Sequence, residues 1–300
     1  MLTTFKYQKM SNILVLAGGS VKGAFQAGVM RALMEKGYQP DAIYGVSAGS
    51  LNAAYFINQI GSQALAGHPI SYAQAAQDLW DFWETRITRP DCLSKPFNIF
   101  QLGWTALTKR FRGLVSTEPL RLLLEDVISL RNLNASPVGL KVGAVNIIQG
   151  NIHYLDPSHD EFISYLMASS AVPILMPVVK IKGEDRKSYL DGGLRDVAPL
   201  MKAVEDGGKN IVCIACHMES IEGGTFDSGD LLALVDRVMD IAVNEILNAD
   251  IREVMAVNQH LSIRAIRPPQ PLTIDIQNFT KMDIRRLLEL GYSVGQEIEF

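Results

Sequence analysis

Residues 44–50 read YGVSAGS and place a serine between two glycines, in the pattern Gly-x-Ser-x-Gly. The apolar residues 42–44 before it are typical of the end of a buried strand, and residues 51–57 are typical of a helix. At such a turn the glycines leave room for a tight backbone, and the serine projects its hydroxyl from the top of the sheet. Ser47, flanked by Gly45 and Gly49, is therefore a candidate nucleophile; the alternative is a small residue that merely fits a tight turn.

A second strand–turn–helix unit precedes this one. Residues 12–17, NILVLA, form the continuous apolar run of a central parallel strand that is covered on both faces. A glycine-rich turn follows at 18–23, and an amphipathic helix is predicted from 24 to 36. This alternation predicts an α/β fold, a three-layer sandwich with a mostly parallel central sheet, helices on both faces and ligands at the carboxyl ends of the strands.

The rest of the chain is expected to complete one domain over residues 11–300. Residues 71–130 are predicted to be helical, with no clear strand. Two hairpins are predicted, one joining 141–147 to 152–155 and the other joining 178–181 to 188–190. Further strands are expected at 211–216 and 261–266, and further helices at 229–258 and 282–298.

Composition narrows the class of protein. The chain has 300 residues, of which 48% are hydrophobic, and a formal net charge of -4 that predicts no overall attraction for nucleic acid or anionic lipid. Its three cysteines predict a reducing compartment, and Cys213 and Cys216 lie in an apolar run, as buried strand residues rather than metal ligands. The first residues lack the apolar stretch of a signal peptide, and no run is long enough to span a membrane, so we expect a cytoplasmic protein. Export by a route that reads no cleavable signal is the alternative.

The glycine-rich turn at 17–23, AGGSVKG, brings backbone amides together at the start of a helix, where an anion is favoured. A dinucleotide-binding turn of the form Gly-x-Gly-x-x-Gly would need glycine where this chain has Ser20. A phosphate loop of the Walker type would need Lys-Ser or Lys-Thr at its end. The other interpretation of this turn is an oxyanion hole beside the serine of the elbow.

A third segment, residues 189–193, reads YLDGG and takes an aspartate from a predicted strand into a glycine turn. Aspartate is common at such turns because its side chain accepts hydrogen bonds from nearby amides. Asp191 nevertheless lies at a strand end, the edge where sites form in sheets of this class. Both a structural and a catalytic role are open for it at this point.

Taken together, the three segments resemble the patatin-like phospholipase family. That family combines an oxyanion loop of the form Gly-Gly-Gly-x-Lys/Arg-Gly, a Gly-x-Ser-x-Gly elbow and a later Asp-Gly-Gly/Ala. Residues 167–173, MASSAVP, also resemble the family's Ala-Ser-x-Ala-x-Pro stretch. The similarity runs from about residue 13 to 199 in the same order, and the C-terminal third carries no recognised motif.

The resemblance implies a catalytic dyad of Ser47 and Asp191, with Gly192 and Gly193 forming the turn after the aspartate. It implies an oxyanion hole from the amides of Gly18, Gly19 and Ser20, with Lys22 orienting the loop and Gly23 ending it. The chain departs from the family at Ser20, which replaces the third glycine. If that position needs a backbone torsion suited to glycine, a serine there would distort the hole.

A Ser-Asp-His triad is the alternative catalytic arrangement. Of the five histidines, only His217 and His260 follow Asp191, and neither lies in a recognisable motif. We therefore favour satisfied core or surface histidines for both. His68, His153 and His159 are likewise interpreted as structural.

Two further patterns bear on ligands. An aromatic and apolar stripe with adjoining basic residues is either a lid or membrane-dipping face or, as favoured here, a helix packed on the core; it comprises Phe97, Phe100, Trp104, Leu107 and Phe111. Acidic residues in a glycine-containing loop do not have the spacing of a calcium site and are expected to be solvated; they are Glu219, Glu222, Asp227 and Asp230.

The sequence therefore predicts a serine acyl hydrolase that cleaves lipid acyl esters, of the phospholipase A or lysophospholipase type, without metal or organic cofactor. Its expected partners are a lipid or acyl-ester substrate and a transient membrane-surface contact; the oligomeric state is left open. A thioesterase or transacylase would use the same residues. A catalytically silent module that binds an anion or nucleotide is the alternative from a different class, and Ser20 is its best argument.

Overall fold

The structure is a computed structural model that describes residues 11–97, 113–183, 187–221 and 229–299, apart from the side chains at 232 and 236. The strands of its main sheet are β1 (Asn12–Leu16), β2 (Ala42–Val46), β5 (Gly139–Asn146), β6 (Asn151–Leu155), β7 (Tyr189–Asp191), β8 (Asn210–Ile214) and β9 (Ser262–Ile266). They follow the order β6-β5-β2-β1-β8-β9, and β7 pairs with β5 outside that path.

The core of the sheet is parallel. Strand β1 pairs in parallel with β2 and β8, β2 with β5, and β8 with β9. Strands β6 and β7 are antiparallel to β5. The carboxyl ends of β1 and β2 therefore lie side by side, which brings the glycine-rich turn next to the Ser47 elbow.

Helices cover both faces of the sheet. Alternate residues of β1 point to opposite sides: Leu14 and Leu16 join one apolar core, and Ile13 and Val15 join a second. The helices are α1 (Gly23–Glu35), α2 (Ala48–Leu65), α3 (Tyr72–Arg86), α4 (Glu118–Val127), α5 (Leu130–Ala135), α6 (Phe162–Ser169), α7 (Leu200–Glu205), α8 (Leu231–Val257) and α9 (Lys281–Gln296). The predicted three-layer α/β fold with a mostly parallel sheet is confirmed.

Two local predictions were wrong. The stretch 71–130 does contain strand, because β3 (Lys95–Pro96) pairs antiparallel with β4 (Val115–Ser116). The second predicted hairpin is reduced to a single bridge between Val179 and Tyr189. Strand β7 instead uses β5 as its partner, with Asp191 opposite Ala144, so the aspartate is carried on the main sheet.

Within the described ranges, none of the helices combines the length and the apolar character needed to cross a bilayer.

Candidate active site

Ser47 lies between β2 and α2 with a left-handed backbone, φ 54° and ψ -129°. Such a torsion is uncommon for a residue with a side chain and marks a strained, sharp turn. The two glycines of the motif are required by close packing: a Cβ on Gly45 would approach the Gly49 carbonyl oxygen to 2.5 Å, and one on Gly49 would approach the Leu16 oxygen to 2.1 Å. The turn therefore packs closely against the end of β1, and Ser47 lies at the tip of the turn.

Asp191 ends β7 and lines the same cavity as Ser47. Its Oδ1 accepts a hydrogen bond from the Gly193 amide at 2.8 Å. Gly192 fits because its Cα faces the Gly143 carbonyl, which a Cβ would meet at 2.5 Å. Burial raises the pKa of Asp191 to about 6, although the hydrogen bonds from Ser47 and Gly193 act to lower it.

The glycine-rich turn lies directly beside the elbow, since a Cβ on Gly18 would be 3.4 Å from the Cβ of Ser47. The Gly18 amide, however, donates to the Val197 carbonyl oxygen at 2.9 Å, so this expected oxyanion donor is already engaged. The amides of Gly19 and Ser20 make no hydrogen bond within the described residues. Gly23 begins α1, and its carbonyl accepts from Asn52.

Ser20, the departure from the family pattern, adopts φ 52°. This is the left-handed region that favours glycine, and a serine there costs about 1 kcal/mol or more. The position therefore does call for a glycine-like torsion, and the serine adopts it rather than forcing the turn into another conformation.

Residues 167–173 connect the two predicted dyad members. The buried Ser169 hydroxyl accepts a hydrogen bond from the Ser47 amide at 3.1 Å, and the Ala171 carbonyl accepts from the Asp191 amide at 3.0 Å. One segment therefore forms hydrogen bonds with the backbone of both Ser47 and Asp191 and fixes their relative positions. The sequence pattern marked this segment but suggested no role for Ser169.

A buried polar chain behind the glycine-rich turn was not anticipated. Gln26 donates to the carbonyls of Ala17 and Ile214, both at 2.8 Å. Asn52 in turn donates to Gln26 at 3.1 Å and accepts from the Trp83 indole at 2.7 Å. The available signal was a glutamine within the otherwise apolar first turns of α1, GAFQAGVM.

Lys22 binds to Asp240, a residue of α8. Its Nζ donates to Asp240 at 2.5 Å and lies 3.2 Å from the His217 Nε2, which itself lies 2.9 Å from Asp240. Burial opposes ionisation of Asp240, but its contacts with His217 and Lys22 lower the pKa of the carboxyl. No local pattern singled out Asp240, because it is 218 residues away from Lys22 in the chain.

Two cavities meet at Ser47. We call the first the polar cavity because its otherwise largely apolar wall includes the titratable side chains of Lys22, Asp191, His217 and Asp240; it encloses about 730 Å³ together with its open mouth. The apolar cavity, about 720 Å³ with its mouth, is lined mainly by aliphatic and aromatic side chains of α2, α3 and α4. Ser20, Ser47 and Val172 line both cavities, so Ser47 is at their junction.

The histidines that follow Asp191 do not contact the elbow. The Nε2 of His217 is engaged with Asp240 and Lys22, and burial lowers its pKa. His260 is exposed beyond the end of α8. Asp191, by contrast, is close enough to Ser47 for the serine hydroxyl to act on the pKa of its carboxyl, which it helps to lower.

The aromatic stripe and the acidic loop lie partly outside the residues that the structure describes. Apart from Phe97, the aromatic stripe lies outside the described residues, as do Glu222 and Asp227 of the acidic loop. Within the described part, no three His, Cys, Asp or Glu residues cluster as metal ligands would. Cys213 and Cys216 are buried free thiols.

Comparison with known proteins gives two relatives in sequence. An uncharacterised Escherichia coli protein, YjjU, is 28% identical over 204 residues, covering 67% of this chain and 50% of that protein. A patatin-like phospholipase domain-containing protein of Caenorhabditis elegans is 24% identical over 303 residues, covering 95% of this chain and 20% of the other. The chain thus spans half or less of the length of these curated relatives.

Among solved structures, the crystal structure of VipD from Legionella pneumophila is similar with a TM-score of 0.44 and 13% identity, over 97% of this chain and 66% of that one. The family profile described as Patatin-like phospholipase matches residues 14–204. This match extends over more than half of the chain and includes the glycine-rich turn, the elbow and Asp191. The chain belongs to the patatin-like phospholipase family.

Proposed function

We propose that this protein is a serine acyl hydrolase that cleaves lipid acyl esters, of the phospholipase A or lysophospholipase type. The observation that carries the proposal is that Ser47, on its sharp turn, and the buried Asp191 line the same cavity, with Ser47 also lining a second one. A serine on a strained elbow beside a base is the arrangement that nucleophilic acyl transfer requires.

In the proposed reaction the Ser47 oxygen attacks the ester carbonyl while Asp191 accepts its proton. The tetrahedral intermediate collapses to an acyl-serine, and Asp191 returns the proton to the departing alcohol. Asp191 then takes a proton from water as the water oxygen attacks the acyl-serine. When the second tetrahedral intermediate collapses, the bond to the Ser47 oxygen breaks, Asp191 returns the proton to that oxygen, and the acid leaves. All of these steps use groups of the protein and water.

The negative charge on the intermediate needs hydrogen-bond donors that are free beforehand. The Gly19 and Ser20 amides meet this condition and belong to the turn that adjoins Ser47, so we assign the oxyanion to them. Each such donor contributes about 3 kcal/mol to transition-state stabilisation where it has been measured. The Gly18 amide, bound to Val197, is left out of this assignment.

The two cavities suggest how a lipid ester lies in the site. The apolar cavity suits an acyl chain because its wall is built from residues such as Leu51, Leu123 and Val127. The polar cavity, with Lys22 and Asp240, suits the alcohol side of the ester. This orientation places the scissile carbonyl at Ser47, between the two.

The first test is hydrolysis of p-nitrophenyl butyrate and a fluorogenic phosphatidylcholine by wild type, Ser47→Ala, Asp191→Asn and His217→Gln. We expect turnover of both substrates by wild type, loss in the first two variants, and retention of most activity in His217→Gln. Labelling of Ser47 by a fluorophosphonate would support the same nucleophile. Loss of turnover in folded His217→Gln together with full activity in Asp191→Asn would refute the dyad.

The alternatives use the same assay. A thioesterase would prefer an acyl thioester to the phospholipid, and a transacylase would give a new ester when an alcohol acceptor is added. A silent binding module would show neither turnover nor labelling in well-folded wild type.

A further inference from the structure

Residues 272–279, here called the strap, contribute two isoleucines to the wall of the polar cavity. Ile274 and Ile276 line that cavity together with Met239 and Val243 of α8. All four come from the C-terminal third of the chain, where the sequence shows no recognised motif. This apolar part of the wall is therefore built by residues that the family motifs do not describe.

The strap is fixed at both of its ends. Leu272 and Phe279 are 5% and 3% exposed and belong to one of the two apolar cores that flank the sheet. Between them, the Thr273 carbonyl accepts a hydrogen bond from the Arg286 guanidinium of α9 at 2.6 Å. These contacts make the strap a fixed part of the cavity wall.

The side chains of the strap alternate between the cavity and water, as those of an extended chain do. Ile274 and Ile276 are half-buried, line the cavity and pack against the apolar core. Thr273 and Asp275 are exposed, and the Asp275 carboxylate accepts from the Gln277 amide at 2.8 Å. The strap thus presents aliphatic groups to the cavity and polar groups to solvent.

The charged groups in the same wall bind one another. The Lys22 Nζ lies 2.5 Å from the Asp240 carboxylate, which is also 2.9 Å from the His217 Nε2. Burial lowers the pKa of His217 below its ordinary 6.5, so its ring is neutral at pH 7. Lys22, the cation among the described residues of this wall, is therefore neutralised by Asp240. A charged group in the cavity gains no free ion-pair partner there, whereas an aliphatic group gains apolar contacts.

We infer that the strap, with Met239 and Val243, forms a subsite for an aliphatic group on the alcohol side of the ester, and that Ile274 and Ile276 set this preference. The inference rests on the proposed function, which assigns the acyl chain to the apolar cavity and the alcohol to the polar one. An alcohol that carries an aliphatic chain of its own, as in a two-chain lipid, fits this subsite better than a short alcohol. Within the proposed function, the subsite favours phospholipase A activity over lysophospholipase activity.

The test varies the alcohol and keeps the acyl group constant. We measure kcat/KM for ethyl butyrate and hexyl butyrate, both below their solubility limits so that no lipid surface is present. The strap variant is Ile274→Asn with Ile276→Asn, which places amides of similar size on the cavity side. The matched control is Thr273→Asn with Asp275→Asn, the same amides at the alternate, exposed positions of the strap.

We expect wild type to prefer hexyl butyrate by about tenfold or more, because each buried methylene contributes about fourfold to kcat/KM. The strap variant should lower this ratio by about threefold or more, and the control should keep it within about twofold of wild type. Equal kcat/KM for the two esters in wild type, or equal ratios in the strap and control variants, would overturn the inference. If urea unfolding shows that the strap variant does not fold, Ile276→Ala replaces it and the same ratio decides.

Further substrates separate this inference from the proposed function. If wild type hydrolyses p-nitrophenyl butyrate without distinguishing the two alkyl esters, the proposed function stands and the subsite is wrong. If wild type hydrolyses none of the three esters, the proposed function itself fails and the inference fails with it. A strap variant that alters the ratio of p-nitrophenyl hexanoate to butyrate hydrolysis, and not the alkyl ester ratio, would place the acyl chain in the polar cavity and overturn the alcohol-side assignment.

Discussion

The carboxyl of Asp191 is held in an apolar setting that opposes its ionisation. Burial raises its pKa to about 6 from 3.8, against the two hydrogen bonds that favour the charged form. A base with a pKa near the working pH is both available in its charged form and strong enough to accept a proton from serine. The same burial that makes Asp191 a useful base makes it unfavourable for folding.

The first prediction concerns the pH dependence of activity. If Asp191 must be ionised to act as the base, kcat/KM should rise about tenfold per pH unit below about pH 6 and level off above it. A pH–rate profile on p-nitrophenyl butyrate measures this directly. A plateau that continues well below pH 5 would show that a different group takes the proton.

The second prediction concerns stability. Because the pKa of Asp191 is higher in the folded chain than its ordinary 3.8, the stability that this group contributes is present at low pH and is lost as pH rises through about 6. At pH 8 the ionised carboxyl therefore costs up to about 3 kcal/mol. Asp191→Asn should lose activity about a thousandfold yet raise the free energy of unfolding by about 1–3 kcal/mol.

Urea unfolding of wild type and Asp191→Asn at pH 5 and pH 8 checks this prediction. The stabilising effect of the substitution should be larger at pH 8 than at pH 5. A variant that is less stable than wild type at both pH values would mean that the asparagine amide lacks a partner, and that burial of the charge is not the dominant effect.

Helix α1 supports the oxyanion turn through the buried Gln26. Its amide donates to the Ala17 carbonyl just before the turn and to Ile214 at the end of β8, so it joins β1 and β8 at their carboxyl ends. The third prediction is that Gln26→Leu destabilises the protein by about 1–3 kcal/mol, because the Ala17 carbonyl and Asn52 lose a buried partner. Activity on p-nitrophenyl butyrate should fall with it.

Gln74→Leu on α3 is the matched control. Gln74 is exposed and donates to Asp78 at 2.8 Å, so its loss should change stability by less than about 0.5 kcal/mol. Chemical unfolding and activity are measured on both variants. Equal free energies of unfolding for the two variants would mean that the hydrogen bonds of Gln26 behind the turn do not stabilise the fold.

For the secondary-structure elements, the sequence predicts where strands and helices lie better than it predicts which strands pair with each other. Strands β1 and β8 are readable because both of their faces are covered, which requires continuous apolar runs. The sequence does not predict that β7 pairs with β5. The residues around Val179 and Tyr189, which form a single bridge, have the same sequence pattern as the two strands of a full hairpin. Sequence motifs identify the glycines of the site, at positions 18, 19, 45 and 49. They do not identify Asp240, because this residue reaches Lys22 only through the packing of α8.

Across the whole molecule, two cavities of similar volume share Ser47 in their lining, and titratable side chains line the polar cavity but not the apolar one. The apolar one extends from Ser47 between α2, α3 and α4, and the proposed function assigns it to the acyl chain. If so, the size of this cavity limits the length of chain that the enzyme accepts. Leu123 and Leu122 on α4 allow a matched test, because Leu123 lines the cavity and Leu122 is 57% exposed.

The last prediction is that Leu123→Trp selectively impairs long acyl chains. The larger ring would fill space that the distal methylenes need, and each displaced methylene costs about 0.8 kcal/mol of burial, so two cost about tenfold in kcat/KM. Hydrolysis of p-nitrophenyl palmitate should fall by that factor or more relative to the butyrate, while Leu122→Trp leaves the ratio unchanged. An equal loss on both esters would place the acyl chain in the polar cavity instead, and the orientation of the substrate would have to be reversed.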